Sequence, residues 1–119
     1  MRSKFFFALA IYASTNAAFA QDANLGKTLF QECAACHSAN PGETLTAPSL
    51  AGIYGRKAGT SDGFRYTNAM KRSGITWNEE SLDAYLADPQ AAIPGNRMPY
   101  SGMANSADRK NLIAYLKTI

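Results

Sequence analysis

The two cysteines and the only histidine of this 119-residue chain lie together, in the sequence Cys33-Ala34-Ala35-Cys36-His37. Two thiols about one helical turn apart can each add to one of the two neighbouring vinyl groups on a porphyrin edge. The next residue then lies beneath the iron, where a neutral imidazole is the usual proximal ligand of haem. Cys-x-x-Cys-His is also the pattern by which c-type haem is attached. The sequence therefore predicts one haem c, bound through thioethers at Cys33 and Cys36, with His37 as an iron ligand.

Two other kinds of site use the same residue types, a structural zinc site and a redox-active thiol pair. A structural zinc needs four Cys or His ligands, and the chain contains only two cysteines and one histidine. A thioredoxin-like pair would need a βαβ pattern around it, whereas the flanking segments are predicted to be helical and rich in loops. Haem attachment is therefore the stronger interpretation.

The second axial ligand must be another residue type, because His37 is the only histidine. Methionine is its natural partner on haem iron. Met98 lies in the segment 94–99, whose two prolines and one glycine favour a stiff, non-helical loop. Met70 and Met103 remain as alternatives, although filling gaps in the core is the commoner role of methionine. Loop rigidity favours Met98.

Helical periodicity and capping signals predict four helices around these residues. The first two run from an Asp22 cap to about Cys33 and from Tyr66 to Arg72, with Gly74 after the end. The third runs from a Thr76-Trp77-Asn78-Glu79 capping box to Asp88, and the last from a Ser106 cap along an apolar face to Ile119. Ile93-Pro94-Gly95 predicts a turn before the last helix. No segment has the alternation of a strand, so the predicted fold class is all-α.

Residues 38–63 lack helical periodicity and contain many turn residues, so they are predicted to form a loop. A loop of this length is acceptable in a compact domain when it wraps a cofactor. A domain of about 100 residues has only a small core of its own. We therefore expect the haem to form part of that core, and the haem-free chain to be largely unfolded.

Gly26 lies inside the first predicted helix. A glycine there costs about 1 kcal/mol relative to alanine, so it indicates that another backbone or a bulky ring approaches closely. A merely tolerated glycine is the alternative.

The first twenty residues have the three parts of a secretory signal peptide. Arg2 and Lys4 give a basic start, residues 5–13 are apolar, and Ala18-Phe19-Ala20 is a small-x-small cleavage site. An uncleaved anchor is the alternative, but the apolar run is too short to span a bilayer. We expect cleavage after Ala20, a mature domain of residues 21–119, and a periplasmic location.

The charge balance argues against nucleic-acid binding. Removal of the predicted signal peptide leaves ten basic against nine acidic residues, and two haem propionates would make the holoprotein nearly neutral. The sequence pI of about 9.0 therefore does not indicate a nucleic-acid partner.

Several segments beyond residues 33–37 resemble the class I cytochromes c of bacterial periplasm and mitochondria. They are Pro48–Lys57, Gly63–Thr67, Gly74–Trp77, Tyr85-Leu86, Ile93–Gly95 before Met98, and Leu112–Leu116. The resemblance covers essentially all of residues 21–119. It implies the small cytochrome c fold, in which about four to five short helices and long loops wrap around one covalently bound haem.

The resemblance also implies roles for individual residues. His37 and Met98 match the axial ligands, and the Pro48 carbonyl matches the group that accepts the other imidazole N–H. Four residues match the positions that surround the haem propionates in the family: Arg56, Tyr66, Trp77 and Asn96. Tyr85 matches the tyrosine that lies near the methionine sulfur. Three residues depart from the family: Met70 replaces a usual asparagine, Glu32 a frequent lysine and Tyr100 a common phenylalanine.

The resemblance implies a soluble one-electron carrier and not an enzyme. The expected partners are membrane complexes that dock transiently at the exposed haem edge: a cytochrome bc-type reductase, and a terminal oxidase, terminal reductase or photosynthetic reaction centre. The protein is expected to be a monomer. Three alternatives stay open: a small haem peroxidase or nitrite-reducing enzyme, a gas-binding or sensor module in which Met98 dissociates, and a subunit held permanently in a larger complex.

Overall fold

The computed structural model describes residues 3, 5–13 and 21–119. Six α-helices lie in these ranges: α1 (Ala23–Leu29), α2 (Gln31–Ala34), α3 (Asn68–Arg72), α4 (Glu79–Ala87), α5 (Pro89–Ala92) and α6 (Ser106–Leu116). No β-strand forms in the described ranges, where an isolated bridge pairs Lys57 with Thr76. The prediction of an all-α fold is confirmed.

The predicted signal peptide falls partly outside the described residues. Arg2, Lys4 and the cleavage site at residues 18–20 are not among them, so the prediction of cleavage after Ala20 stays a prediction. Residues 5–13 form no helix, and their large apolar side chains are exposed. Within the described parts of the chain, no helix combines the length and apolar character needed to cross a membrane.

The first predicted helix is divided into α1 and α2. The side chain of Asp22 caps α1, as expected, and accepts hydrogen bonds from the N–H groups of Asn24 at 2.9 Å and Leu25 at 3.1 Å. The division falls at Phe30, whose N–H closes α1 by donating to the Gly26 carbonyl at 2.9 Å. The Phe30 carbonyl then begins α2 by accepting from the N–H groups of Cys33 at 2.8 Å and Ala34 at 2.9 Å.

Helix α1 packs directly on α6, and the two backbones touch at Gly26. A Cβ atom at Gly26 would lie 1.9 Å from the carbonyl oxygen of Asn111 and 2.8 Å from Cβ of Tyr115. The Asn111 side chain also accepts from the N–H of Asp22 at 2.9 Å. The close approach predicted at Gly26 is therefore present, and it fixes α1 against α6.

Two predicted helix caps are wrong by one or two residues. Helix α4 is capped by Asn78, which exchanges hydrogen bonds of 2.9 Å with Ser81, and not by a box between Thr76 and Glu79. Thr76 is unavailable because it pairs with Lys57 in the isolated bridge. Helix α6 is capped by the Asn105 side chain, which accepts from the N–H of Asp108 at 3.0 Å, and not by Ser106.

Helix α5 follows α4 at once and was not predicted. Asp88 ends α4, and its carboxylate then caps α5 by accepting from the N–H of Ala91 at 3.2 Å. Pro89 stops α4 but suits the first position of a helix, because it has no N–H to satisfy there. The Pro89 side chain is fully buried, so α5 is anchored in the core at its first residue.

The core lies between α1, α4 and α6 and extends into a cavity on one side. Its buried apolar residues are Phe30, Ala58, Trp77, Leu82, Tyr85, Leu86, Ile93, Met103, Leu112, Ile113 and Leu116. Several of them, such as Leu82, Leu86 and Leu116, also line the cavity. Core and cavity wall therefore coincide, as expected for a small domain built around a cofactor.

Candidate haem site

A mainly apolar cavity of about 440 Å³ opens between α2, the long loop, α4 and the segment 97–100. Of the predicted site residues, nine line it: Cys33, Cys36, His37, Pro48, Arg56, Tyr66, Trp77, Tyr85 and Met98. Asn96 is the exception, because it lies behind the segment that carries Met98. The fold thus brings residues that are far apart in sequence onto the walls of one cavity.

Cys33 and Cys36 lie on one turn at the end of α2 and form no disulfide. The carbonyl of Cys33 accepts from the N–H of Cys36 at 3.1 Å and from that of His37 at 2.8 Å. These bonds fold the Cys-x-x-Cys-His segment into one compact turn with all three functional side chains on the cavity. Burial raises the pKa of the Cys33 thiol to about 11, and the neighbouring Glu32 carboxylate acts in the same direction.

The imidazole of His37 is fixed by the main chain. Its Nδ1 lies 2.7 Å from the carbonyl oxygen of Pro48, which accepts a hydrogen bond from it. Burial lowers the pKa of His37, and the bond to Pro48 opposes that effect. A neutral ring that donates from Nδ1 leaves Nε2 unprotonated, and this is the nitrogen that can bind a metal.

A polar cluster holds the loop that carries Pro48. The Ser38 hydroxyl donates to the Glu43 carboxylate, and Asn40 donates to the same carboxylate at 2.8 Å. These two bonds lower the pKa of Glu43. The Ser49 hydroxyl donates to the Asn40 carbonyl at 2.6 Å, so the residue next to Pro48 is tied to the same cluster.

Arg56 shows how the cavity suits a haem with carboxylate groups. One terminal nitrogen donates to the Ala51 carbonyl at 3.1 Å, and the other to the Ser61 hydroxyl at 2.5 Å. Its Nε is buried and has no partner among the described residues. A buried donor without an acceptor is costly, and a haem propionate would supply the missing acceptor. The Tyr66 hydroxyl lies close by and accepts from the N–H of Ser61 at 3.2 Å.

The sulfur of Met98 lies 3.7 Å from the hydroxyl of Tyr85, which can donate to it. The Tyr85 ring is held edge-on against Trp77, with centroids 5.0 Å apart. Burial raises the pKa of Tyr85 to about 12, so the hydroxyl keeps its proton at neutral pH. This wall therefore presents a thioether and one neutral donor to the cavity.

The other two candidate methionines occupy different environments. Met103 is only 8 % exposed, packs in the core and is absent from the cavity wall. Its N–H donates to the Leu86 carbonyl at 2.7 Å. Met70 does line the cavity, from α3. The structure thus places Met103 in the core-filling role that is commoner for methionine, and leaves Met98 and Met70 facing the cavity.

Asn96 supports the Met98 segment from behind instead of facing the cavity. Its side-chain N–H₂ donates to the carbonyls of Pro89 at 2.9 Å and Ile93 at 2.8 Å. Its side-chain oxygen accepts from the N–H of Met98 at 3.0 Å. The structure therefore assigns Asn96 to the support of the Met98 loop.

Much of the cavity wall was not among the predicted site residues. The loop of residues 38–63 contributes Leu50 and Ile53, the residue after it is Phe64, and helices α4 and α6 contribute Leu86 and Leu116. The one available signal was Leu50 and Ile53, large apolar residues in a segment otherwise rich in turns. Large apolar side chains in such a loop indicate that the loop packs on an apolar surface, and the cofactor provides that surface.

Comparison with known proteins identifies the family. The model of the cytochrome c family matches residues 23–119, so the chain belongs to that family. It is 51 % identical over 98 residues to a cytochrome c2 iso-2 of Magnetospirillum molischianum, covering 82 % of this chain and 98 % of that protein. It is 43 % identical over 118 residues to a cytochrome c2 of Blastochloris viridis, covering 98 % of this chain and 93 % of that protein.

A solved structure agrees with this assignment. Cytochrome cH from Methylobacterium extorquens superposes with a TM-score of 0.78 at 39 % identity, covering 82 % of this chain and 99 % of that one. Family membership confirms the predicted cofactor, one haem c bound through two thioethers, for which Cys33 and Cys36 are the only thiols in the chain. The protein is an electron carrier of the cytochrome c family.

Proposed function

We propose that the protein is a periplasmic one-electron carrier in which His37 and Met98 are the axial ligands of the haem iron. The observation that carries this proposal is the composition of the cavity wall. An imidazole with its Nε2 unprotonated reaches it from the turn after α2, and a thioether held by Tyr85 reaches it from the segment after α5. His/Met ligation is the set that raises the potential of a cytochrome c.

The chain's own residues provide what electron transfer requires. When bound, haem c supplies an iron that alternates between Fe(III) and Fe(II). The Pro48 carbonyl keeps the His37 ring in one orientation, and Tyr85 holds the Met98 sulfur. Apolar side chains such as Leu82 and Leu86 exclude water from the cavity. A site held this firmly changes little between two charge states, which favours fast electron exchange.

The periplasmic location rests on the predicted signal peptide of residues 1–20 and on the likeness to bacterial cytochromes c2. We infer that the partners are membrane electron-transfer complexes, and that the protein works as a monomer without an enzymatic activity of its own. An enzyme would need an open iron position and polar groups beside it. The cavity wall is instead mainly apolar, and the group that lies against the Met98 sulfur is the neutral hydroxyl of Tyr85.

The test is a redox titration of the purified holoprotein combined with assays on host membranes. We expect a single one-electron transition and rapid oxidation or reduction by host membrane vesicles. We also expect no turnover with hydrogen peroxide or nitrite beyond that of free haem. A high-spin ferric spectrum in the wild-type protein, with peroxide or nitrite turnover, would assign the protein to the enzymes instead.

Docking at the cavity mouth is predicted to depend only weakly on salt. The mouth carries charges of both signs, among them Glu32 and Arg97, and the Tyr100 hydroxyl lies 3.5 Å from the Glu32 carboxylate. The Arg97 guanidinium donates back to the Arg65 carbonyl at 3.3 Å. Mixed charges steer a partner poorly, because steering needs a field of one sign. Apolar contacts at Pro99 and Tyr100 should then determine the bound state.

The measurement is the bimolecular rate with the membrane partner at ionic strengths of about 0.01 to 0.15 M, where the Debye length falls from roughly 30 to 8 Å. We expect the rate to fall less than about tenfold over this range. Lys110→Ala, on the exposed surface of α6, is the control. A larger fall that Arg97→Ala abolishes, and Lys110→Ala does not, would show that a local basic patch steers docking.

A further inference from the structure

The exposed side chain of Gln90 links helix α5 to the segment that carries Met98. The Gln90 carboxamide donates from Nε2 to the carbonyl oxygen of Asn96 at 2.8 Å. Its Oε1 accepts from the N–H of Gly95 at 3.2 Å. One side-chain amide therefore forms hydrogen bonds with the main chain of two consecutive residues of the segment. The side chain is exposed, while its two partners belong to the main chain.

A continuous set of contacts leads from Gln90 to Met98. Gln90 fixes the backbone of Asn96, and the buried Asn96 side chain accepts from the N–H of Met98 at 3.0 Å. The same side chain donates to the carbonyls of Pro89, the first residue of α5, and Ile93, the residue just after it. The position of the Met98 backbone therefore depends on where Gln90 and Asn96 hold this segment.

We propose that Gln90 is a positioning residue for Met98, and that its two main-chain hydrogen bonds set how readily the thioether leaves its place in the cavity. This inference rests on the proposed role of Met98 as an iron ligand. Among the described residues, the Tyr85 hydroxyl is the group that can donate to the sulfur, at 3.7 Å, and it also lies 3.5 Å from the Asn96 side-chain oxygen, which competes for the same proton. The backbone of the segment must therefore supply most of the restraint.

Competition by an added ligand measures this restraint directly. Ferric holoprotein is titrated with imidazole, which can bind iron only where the thioether has moved away. In Gln90→Leu, which keeps the size of the side chain and removes both hydrogen bonds, we expect imidazole to bind about tenfold more tightly. We also expect faster hydrogen exchange at the Gly95 N–H. Gln90→Glu keeps the acceptor for Gly95 but loses the donor for Asn96, so its affinity should lie in between.

Gln21→Leu is the matched control, because it removes another exposed glutamine amide that donates to Glu79 at 3.2 Å, away from the Met98 segment. Imidazole affinity within twofold of the wild type in both Gln90 variants would overturn the proposal. An equal increase in Gln21→Leu would overturn it too, since the effect would then be a general loss of stability.

The far-red absorption band that marks a ferric iron–thioether bond separates this inference from the proposed ligation. If the band is lost in Met98→Ala while the Gln90 variants bind imidazole as the wild type does, the proposed ligation stands and the proposed role of Gln90 is wrong. If the band survives in Met98→Ala, the ligation itself fails, and the inference fails with it.

Discussion

Gly26→Ala is expected to destabilise the holoprotein by about 3 kcal/mol, the upper end of the usual cost of overpacking. The added methyl group would lie 1.9 Å from the Asn111 carbonyl oxygen and 2.7 Å from its carbon. These are main-chain atoms inside α6, so they cannot rotate away as a flexible side chain would. Relief requires α1 to move off α6, and that movement breaks the bond between Asp22 and the Asn111 side chain.

The measurement for Gly26→Ala is denaturant unfolding of the ferric holoprotein, followed by far-ultraviolet circular dichroism. Thr28→Ala introduces the same residue at an exposed position of the same helix, and it should change the free energy of unfolding by less than about 0.5 kcal/mol. If the two variants had the same free energy of unfolding, the backbones of α1 and α6 would not be in contact at Gly26 as described. Because α1 leads directly into α2, we also expect the variant to accumulate less holoprotein.

The cofactor and the helices were predictable because their signals are local. The two thiols and the imidazole follow one another within five residues, so no knowledge of the fold is needed to recognise them. The Asp22 cap is likewise local, since its partners lie two and three residues away. The helical class of the fold follows from several signals of this kind.

The exact helix starts depend on contacts that have no local signal. Thr76 and Asn78 are both suitable caps, and the choice between them is made by the bridge from Thr76 to Lys57, nineteen residues earlier in the sequence. The N–H of Trp77 also donates to the Arg56 carbonyl at 2.9 Å, which keeps this segment extended until Asn78. At α6 two neighbouring residues, Asn105 and Ser106, are both suitable N-caps, and the side-chain oxygen of Asn105 is the one that caps the helix.

The supports of the site were less predictable than its ligands. The family resemblance matches Asn96 to a position around the haem propionates, and its hydrogen bonds in the structure follow from α5, a helix that the sequence does not predict. From the sequence alone, Pro89 indicates only the end of α4. Once Pro89 also begins α5, the carbonyls of Pro89 and Ile93 come within reach of the Asn96 amide. A missed four-residue helix therefore changed the interpretation of a site residue.

Met98→Ala is expected to leave a folded protein with covalently bound haem and a lower reduction potential. Haem attachment depends on Cys33 and Cys36, which this change leaves intact. With Met98 as the proposed ligand, its removal would take away a soft thioether that favours Fe(II), and the iron would be high-spin or would take water or another group as its ligand. We expect the potential to fall on the order of 0.1 V, a modest part of the ~0.8 V range that axial ligands span. The far-red ferric band should disappear.

Met103→Ala separates the role of the ligand from that of a core residue. Met103 is buried in the core away from the cavity wall, so its truncation should cost about 2–5 kcal/mol of unfolding free energy and leave the ferric spectrum and the potential unchanged. Met98 is half-buried at the mouth of the cavity, so Met98→Ala should change the spectrum and potential more than the packing. Met70→Ala tests the remaining methionine on the wall. A far-red band that survives Met98→Ala and is lost in Met70→Ala would make Met70 the ligand, because the cavity offers both sulfurs to the same iron.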